Sequence, residues 1–245
     1  MSEATIYTRA PIVEVLLDIK VDLPNDFRID KLLKCQQKVK SDYPDKRKKT
    51  FGTLHATFGK EVSSSASMRP AGFIFSSTDK RQLFQAAVDG FTFNRLAPYQ
   101  GWESFIKESK RLWEVYRSIA HPQHGYKRIA IRTINKFEFP SPMVNMETYF
   151  RTYIEVSRDL PQNLHGFFMQ FNLPVKEIES NVIISQTDAQ SSKPGFFSIV
   201  LDIDLVRTAN LPTGTDIWSM LEIFRVWKNK LFNDCLTQAG KDMIL

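Results

Sequence analysis

The chain has 245 residues, of which 42% are hydrophobic, 12% aromatic and 24% charged. This length suits one large domain or two small ones, and the apolar share is enough for a sizeable core. The formal net charge of +6 is a mild indication of a polyanionic partner and does not establish one. Two widely separated cysteines, without a Cys-x-x-Cys spacing, argue against a disulfide scaffold and favour a reducing compartment.

The N-terminal sequence and the hydropathy predict a cytoplasmic protein that does not enter a membrane. Met1–Ala4 is not the basic start of a signal peptide, and no apolar region follows it. No apolar run approaches the roughly 18 residues that cross a bilayer.

The first half of the chain alternates strands and helices. Pro11–Val21 places Val15, Leu17 and Ile19 on one face by strict alternation, which predicts a half-buried strand. The elements that we predict after it are a helix from Ile29 to Ser41, a Pro-containing loop with Lys46–Lys49, a strand over Thr50–Lys60, a mobile Ser-rich loop over Ser63–Pro70, strands over Gly72–Ser76, Gln82–Val88 and Phe91–Phe93 with a hairpin turn at Asp89-Gly90, and an amphipathic helix over Trp102–Tyr116.

The second half repeats this order after a predicted linker at residues 118–126. Its first strand, Lys127–Phe139, places Ile134 out of phase with Ile129 and Ile131, which predicts a bulge near Thr133. The later predicted elements are a short helix over Met146–Ile154, strands over Phe167–Val175, Asn181–Gln186 and Phe196–Val206, a helix over Asp216–Leu236, and a loose tail after Gly240.

Several features recur 116 residues apart, as when Trp102 is matched by Trp218 and Asn94 by Asn210. We therefore expect an α+β fold made of a duplicated unit, with halves 1–120 and 121–245. Joined edge to edge, the halves would form one continuous, curved antiparallel sheet with the long helices on one face. In element order alone, this resembles a helix-grip or TATA-binding-protein-like duplication.

No motif in the sequence specifies a chemistry. Gly-rich phosphate loops and the nucleophile elbow are missing, and the pair His121 and His124 is best interpreted as two solvated loop histidines. Asp202 and Asp204 share a strand face, as alternation alone would produce on a solvent-facing strand. We predict no catalytic residue, no metal site and no cofactor.

The best candidate for a polar site is a set of residues on two strands. Its members are Arg128, Arg132, Asn135, Asn94 and Arg95. An Arg among β-branched residues is either exposed or buried with a carboxylate or an anionic ligand. For Arg132 we favour an interdomain salt bridge that holds the halves in register, and a small anionic ligand is the open alternative.

A basic segment offers a different function. Lys46, Arg47, Lys48 and Lys49 form the densest cationic run, and Lys31, Lys34, Lys38 and Lys40 lie close to it in sequence. Such a cluster could contact phosphates of a nucleic acid, although solvated surface lysines are the simpler interpretation.

Three segments together resemble a known family. They are Pro11-Ile12-Val13-Glu14, Phe93-Asn94-Arg95-Leu96-Ala97-Pro98-Tyr99-Gln100-Gly101-Trp102 and Arg128-Ile129-Ala130-Ile131-Arg132-Thr133-Ile134-Asn135. They are similar to a sporadically distributed family of uncharacterised bacterial proteins with no established activity. The resemblance implies a bacterial, cytosolic, mostly single-module protein, and it transfers no site residue. A role among mobile or phage-defence genes is a hypothesis by association.

The sequence favours a non-enzymatic module that binds a partner protein or a small anionic ligand. Two alternatives stay open: nucleic-acid binding through the basic face from Lys38 to Lys49, and an enzyme with a noncontiguous site, for which Asp202 and Asp204 could be metal ligands. A homodimer is conceivable, because open sheets have edges to protect.

Overall fold

The structure is a computed structural model that describes residues 9–57, 63–141, 144–162, 166–191, 193–214 and 216–245. It confirms the α+β class. The strands are β1 (Ile12–Asp22), β2 (Asp45–Thr57), β3 (Ser63–Ser76), β4 (Gln82–Ala87), β5 (Gly90–Leu96), β6 (Gln123–Phe139), β7 (Phe168–Val175), β8 (Ser180–Ala189) and β9 (Phe197–Arg207). The helices are α1 (Leu33–Val39), α2 (Trp102–Ala120), α3 (Met146–Tyr149), α4 (Ile217–Cys235) and α5 (Gln238–Asp242), with 3-10 turns at Ile29–Leu32 and Lys176–Ile178.

The strands form an antiparallel sheet, as the sequence predicts. Their order in the sheet is β2-β3-β4-β5-β1-β6-β9-β8-β7, so β2 and β7 stand at its two ends. No helix in the described part of the chain is both long and apolar enough to cross a membrane.

The chain divides into two compact units. Unit 1 comprises the start of the chain through Leu16 together with Leu96–Tyr99 and Ile129–Leu245, and unit 2 comprises Leu17–Arg95 and Gln100–Arg128. Strands β1 and β6 each contribute residues to both units.

The core of unit 2 is an aromatic layer between the sheet and α2. Phe91 packs against Trp113 with ring centroids 5.7 Å apart, and Phe93 stacks on Phe105 at 5.3 Å. The hydroxyl of Tyr116 donates a hydrogen bond of 2.9 Å to the carbonyl oxygen of Ala87. The helical periodicity predicted every buried position on this face of α2 up to Tyr116; these are Trp102, Phe105, Ile106, Ser109, Leu112, Trp113 and Tyr116.

The core of unit 1 centres on Phe137 of β6. Its ring lies 5.2 Å from that of Phe150 and 6.3 Å from that of Phe232 in α4. The predicted helix over Met146–Ile154 is shorter than expected, because Phe150 leaves α3 and forms a β-bridge with Leu236.

The C-terminal segment is ordered, so the prediction of a loose tail is wrong. Gly240 is buried in α5, and Ile244 is 4% exposed. The carbonyl oxygen of Ile244 accepts a hydrogen bond from the backbone N–H of Arg9 at 3.1 Å. The small core contribution of this short helix was too weak a periodic signal to detect.

Two predicted loops are strands. Lys46–Lys49 belongs to β2 and pairs with Gly72–Phe75, and Ser63–Pro70 belongs to β3 and pairs with Thr50–Thr57 of the same hairpin. We predicted loops here from composition. Strand pairing depends instead on the backbone N–H and C=O groups, and every one of these residues except Pro70 has both. Part of the strand predicted over Thr50–Lys60 lies outside the described residues, beyond Thr57.

The remaining corrections concern β6 and its surroundings. The predicted bulge near Thr133 does not occur, because β6 and β9 pair without a register shift from Ile129 to Phe139. Ile134 simply faces the opposite side of the sheet from Ile129. The linker expected at 118–126 shrinks to two residues, since α2 ends at Ala120 and β6 begins at Gln123.

Candidate functional site

Arg95 stands at the end of an apolar row on β5. Phe91, Phe93 and Arg95 alternate toward α2, and Arg95 is only 6% exposed. Its guanidinium lies 5.6 Å from the centroid of the Phe93 ring. The side chain therefore continues the core with its apolar stem and brings a cation to the end of the sheet.

Neutral groups hold this guanidinium. The strand register places Gln82 directly opposite Arg95, and Nη2 donates to Oε1 of Gln82 at 3.0 Å. Nη1 donates to Oγ of Ser104 on α2 at 2.8 Å. The Nε atom is buried and has no hydrogen-bond partner in the part of the chain that the structure describes. Within those same residues, Arg95 forms no ion pair with a carboxylate.

The neighbouring carboxylates are engaged elsewhere. Glu108 accepts hydrogen bonds from Nε of Arg111 at 2.9 Å, from Nη2 of Arg111 at 2.7 Å and from the hydroxyl of Tyr43 at 2.7 Å. Nη2 of Arg111 also lies 3.0 Å from Oδ2 of Asp42. Tyr43 is buried, and its hydroxyl also lies 3.2 Å from Oε1 of Gln82. This contact connects the Glu108 network to a partner of Arg95.

Local structure explains these positions. Ser104, Glu108 and Arg111 recur at the spacing of one helix face. Tyr43 follows α1 in a turn that Gln36 stabilises by donating from Nε2 to the carbonyl oxygen of Pro44 at 2.8 Å.

These residues line a cleft of about 730 Å³, whose lining Gln100 and Lys107 complete. Three cations and two carboxylates face it. Because Arg111 engages both carboxylates, the charges of Arg95 and Lys107 are the least compensated. Gln100 and Ser104 flank the N-terminal end of α2, where backbone amides add partial positive charge.

The ionisation states in the cleft reinforce its pattern of charge. Burial alone would raise the pKa of Glu108, but the hydrogen bonds from Arg111 and Tyr43 lower that pKa below its usual value. Burial and then the neighbouring Glu108 raise the pKa of Tyr43 well above its usual value. The hydrogen bond to Glu108 raises the pKa of Arg111. Near neutral pH, Glu108 is therefore an anion, Tyr43 a hydroxyl donor and Arg111 a cation.

Two other predicted site residues of unit 2 point away from this cleft. Nη1 of Arg128 lies 2.5 Å from Oδ2 of Asp18, whose Oδ1 accepts from Oγ1 of Thr92 at 2.7 Å. Oδ1 of Asn94 accepts from Nε2 of Gln85 at 2.8 Å. Arg128 thus balances a buried carboxylate, and Asn94 belongs to a strand-to-strand amide contact.

The predicted residues of unit 1 form separate contacts. Nε of Arg132 lies 2.9 Å from both carboxylate oxygens of Asp202, and Nη2 also bonds to Oδ2. Asn135 lies on the opposite face of β6, where Nδ2 donates to the carbonyl oxygen of Leu201 at 3.1 Å. Asp204 is the register partner of Arg132, so both carboxylates that we considered as metal ligands lie beside a guanidinium.

The Arg132 contact is an ion pair, but both partners fall within the predicted second half. Ion pairs that join residues from the two predicted halves include Arg128 with Asp18 and Lys127 with Asp22, and all four residues belong to unit 2. His121 and His124 are exposed and both have left-handed backbone angles.

Sequence reasoning identified Arg95 but not its surroundings. Ser104, Glu108 and Arg111 carried a detectable signal, because they share a face of a helix that was predicted correctly. Tyr43 and Gln82 carried no such signal in the sequence. Gln82 comes close to Arg95 through strand register, and Tyr43 comes close to Gln82 through the turn after α1.

No protein-family model and no curated protein sequence matches this chain. The geometry and charge of the cleft therefore carry the functional argument.

Proposed function

We propose that the protein is a non-enzymatic binding module that takes a small anionic ligand in the cleft around Arg95. The observation that carries this proposal is a buried guanidinium bound only by the neutral oxygens of Gln82 and Ser104 in the described structure. Burying a cation without an opposite charge is costly, so a structural arginine at this depth would be expected to contact a carboxylate. Glu108 acts on Arg95 only electrostatically, while its oxygens bind Arg111, so an anionic ligand would supply the direct contact that Arg95 lacks.

The size and composition of the cleft support the same ligand class. A volume near 730 Å³ lies in the usual range for small-molecule sites. Lys107 is exposed at the cleft and adds a second cation. Planar guanidinium groups bind carboxylate and phosphate through paired hydrogen bonds, so both anion types are candidates.

The first experiment is native mass spectrometry of the wild-type protein and the Arg95→Met variant, purified in the same way from a bacterial strain. We expect a small anionic adduct on the wild type that is absent from the variant. An adduct of equal occupancy on both proteins would place the ligand elsewhere.

A thermal-shift series with inorganic phosphate and citrate at constant ionic strength tests binding directly. At ten times Kd, a ligand adds about 1.4 kcal/mol, which raises Tm by roughly 3–6 °C for a chain of this size. The Arg95→Met variant should lose this rise and Lys107→Gln should reduce it. Arg117→Met, which removes an exposed guanidinium paired with Glu114, is the matched control and should keep it. Equal shifts in all variants, or none in the wild type, would contradict the proposal.

The order of elements supports a further proposal about the fold, that the chain is a duplicated module of the helix-grip type. Strand, helix, several strands and a long helix follow each other from β1 to α2, and again from β6 to α4. The first series has four strands between its helices and the second has three. Membership in the bacterial family that the sequence resembles also stays a prediction.

A further inference from the structure

The hairpin of β2 and β3 extends beyond the neighbouring strand. β3 pairs with β2 from Ser63 to Ser76, with a register shift between Lys49 and Thr50, but it pairs with β4 only from Gly72 to Ser76. Thr50–Thr57 and Ser63–Pro70 therefore form a two-stranded ribbon that no third described strand joins. At about 3.4 Å per residue, the eight residues of its first strand span roughly 27 Å.

This hairpin holds most of the net charge of the protein. Asp45–Ser76 contains six Lys and Arg residues against two Asp and Glu, a net charge of +4, whereas the whole chain carries +6. Lys46, Arg47, Lys48 and Arg69 are exposed. Lys46, Arg47 and Lys48 pair with residues of β3 that also pair with β4, so they lie at the base of the ribbon, and Arg69 lies in the ribbon itself.

One basic residue of the run is committed to the fold. Nζ of Lys49 donates to Oε1 of Gln85 at 3.0 Å and lies 5.8 Å from the Phe51 ring centroid. Burial, and then repulsion from Lys20, lower the pKa of Lys49. The residues left to bind a partner are the exposed cations at positions 46, 47, 48 and 69.

Protection of an edge strand is the simpler explanation for charges on β2, but it accounts for only part of the pattern. A few lysines suffice to prevent edge-to-edge pairing. Here consecutive cations occupy both faces of β2 at the base of the ribbon, and within the ribbon Phe51 is 43% exposed and Met68 72% exposed. Cations interspersed with exposed apolar side chains are typical of a binding surface.

We propose that this hairpin binds nucleic acid through the phosphate backbone, with Lys46, Arg47, Lys48 and Arg69 as the contacting residues. A two-stranded ribbon fits the major groove of a duplex, which is about 12 Å wide. Cations at the base of the ribbon would then meet the phosphates that flank the groove, which fixes position without reading sequence. This function uses a different surface from the Arg95 cleft and does not depend on it.

The test is fluorescence anisotropy with the full chain and a labelled 20-base-pair DNA duplex, from 50 to 200 mM NaCl. The hairpin variant carries Lys46→Gln, Arg47→Gln and Lys48→Gln. The control variant carries Lys176→Gln, Lys193→Gln and Lys230→Gln, which are exposed lysines of unit 1, and loses the same charge. Removing three phosphate contacts should reduce the slope of log affinity against log salt by about 2 to 3 and weaken binding on the order of 100-fold near 0.1 M salt. The control should bind within about threefold of the wild type.

Further measurements separate the alternatives. Arg69→Gln alone should lower the slope by about 1, which keeps the test valid if the triple variant does not fold. A single-stranded RNA of the same length shows whether the backbone of a duplex is required. Absence of binding to either nucleic acid at 50 mM NaCl, salt-independent binding, equal loss in the control, or binding only to phosphatidylserine vesicles would overturn the proposal.

Discussion

Buried charged residues in this protein differ in how they are neutralised. Asp18 is balanced by Arg128, whereas Arg95 is bound by neutral oxygens. Lys228 on α4 is 8% exposed, and its Nζ donates to Oδ1 of Asn229 at 2.7 Å. These differences decide which charge stabilises the fold and which is available for a ligand.

Lys228 should make stability depend on pH. Burial, and then the neighbouring Arg225, lower the pKa of Lys228 from 10.5 to about 8. Between pH 8 and 10.5 the unfolded chain holds a proton that the folded chain has released, so the folded state gains stability as pH rises through this window. Below pH 8 the buried charge destabilises the fold in full.

We therefore expect Lys228→Met to raise the free energy of unfolding at pH 7, by on the order of 2 to 3 kcal/mol. The gain should shrink steadily when urea unfolding is repeated at pH 9 and 10. Lys230→Met, on the exposed side of α4 where Lys230 pairs with Asp234, should have little effect at any of these pH values. A gain for Lys228→Met that is the same at every pH would contradict the assignment.

For single residues, the apolar periodicity of a helix indicated burial correctly even where the charge of the side chain suggested exposure. Lys228 follows Leu221 and Phe224 at the spacing of the buried face, so the pattern placed it inward. Its charge argued for the surface, and we did not predict Lys228 to be buried. Arg95 was predicted as part of a polar site because it lies with Asn94 at the end of a strand, but its neutral partners come from segments that no local pattern brings together.

Elements with strong periodicity were predicted well, and elements defined by pairing were not. α2 and β1 follow their apolar patterns closely. The segment over Ser63–Pro70 has the composition of a loop and becomes a strand because β2 lies beside it. No bulge is needed near Thr133, because the side chains on both faces of β6 are at least partly buried from Ile129 onward. Ile129 and Ile134 can therefore lie on opposite faces of the strand.

The short helix α5 is held in place by a close backbone approach. Gly240 packs so tightly that an added Cβ would lie 2.3 Å from the carbonyl oxygen of Tyr149. The same carbonyl accepts a hydrogen bond from the backbone N–H of Thr237 at 3.0 Å. The absence of a side chain at position 240 is thus what lets the segment pack against α3.

Replacing Gly240 by Ala should destabilise the protein by about 1 to 3 kcal/mol, because the packed backbone must shift. Hydrogen exchange should accelerate in α5 and α3 before it changes elsewhere. Gly52→Ala is the matched control, since an added Cβ there meets nothing within 4 Å. If Gly240→Ala unfolds at the same urea concentration as the wild type and exchanges at the same rate, α5 does not depend on this contact.

For the whole molecule, the sequence predicts the class and the antiparallel sheet but not the order of strands. Local patterns contain no information about partners, and the order places β9 between β6 and β8. The two compact units are discontinuous in sequence, because β1 and β6 contribute residues to both. Unfolding either unit therefore disrupts strands that the other also uses.

The two thiols report on this coupling, since Cys35 belongs to unit 2 and Cys235 to unit 1. Burial raises the pKa of Cys35 to about 12. Burial, and then Asp234, raise the pKa of Cys235 to about 11. Both thiols should consequently react slowly with an alkylating reagent in the native state at pH 8.

In a urea series with pulsed alkylation, read for each cysteine by mass spectrometry, we expect both thiols to become reactive at one midpoint. The reason is that β1 and β6 each contribute residues to both units, so neither unit can unfold without disrupting a strand that continues into the other. Two separate midpoints would contradict this expectation and show that the parts of the chain that hold Cys35 and Cys235 unfold independently. A Cys35→Ser variant and a Cys235→Ser variant control for the effect of each label on the remaining transition.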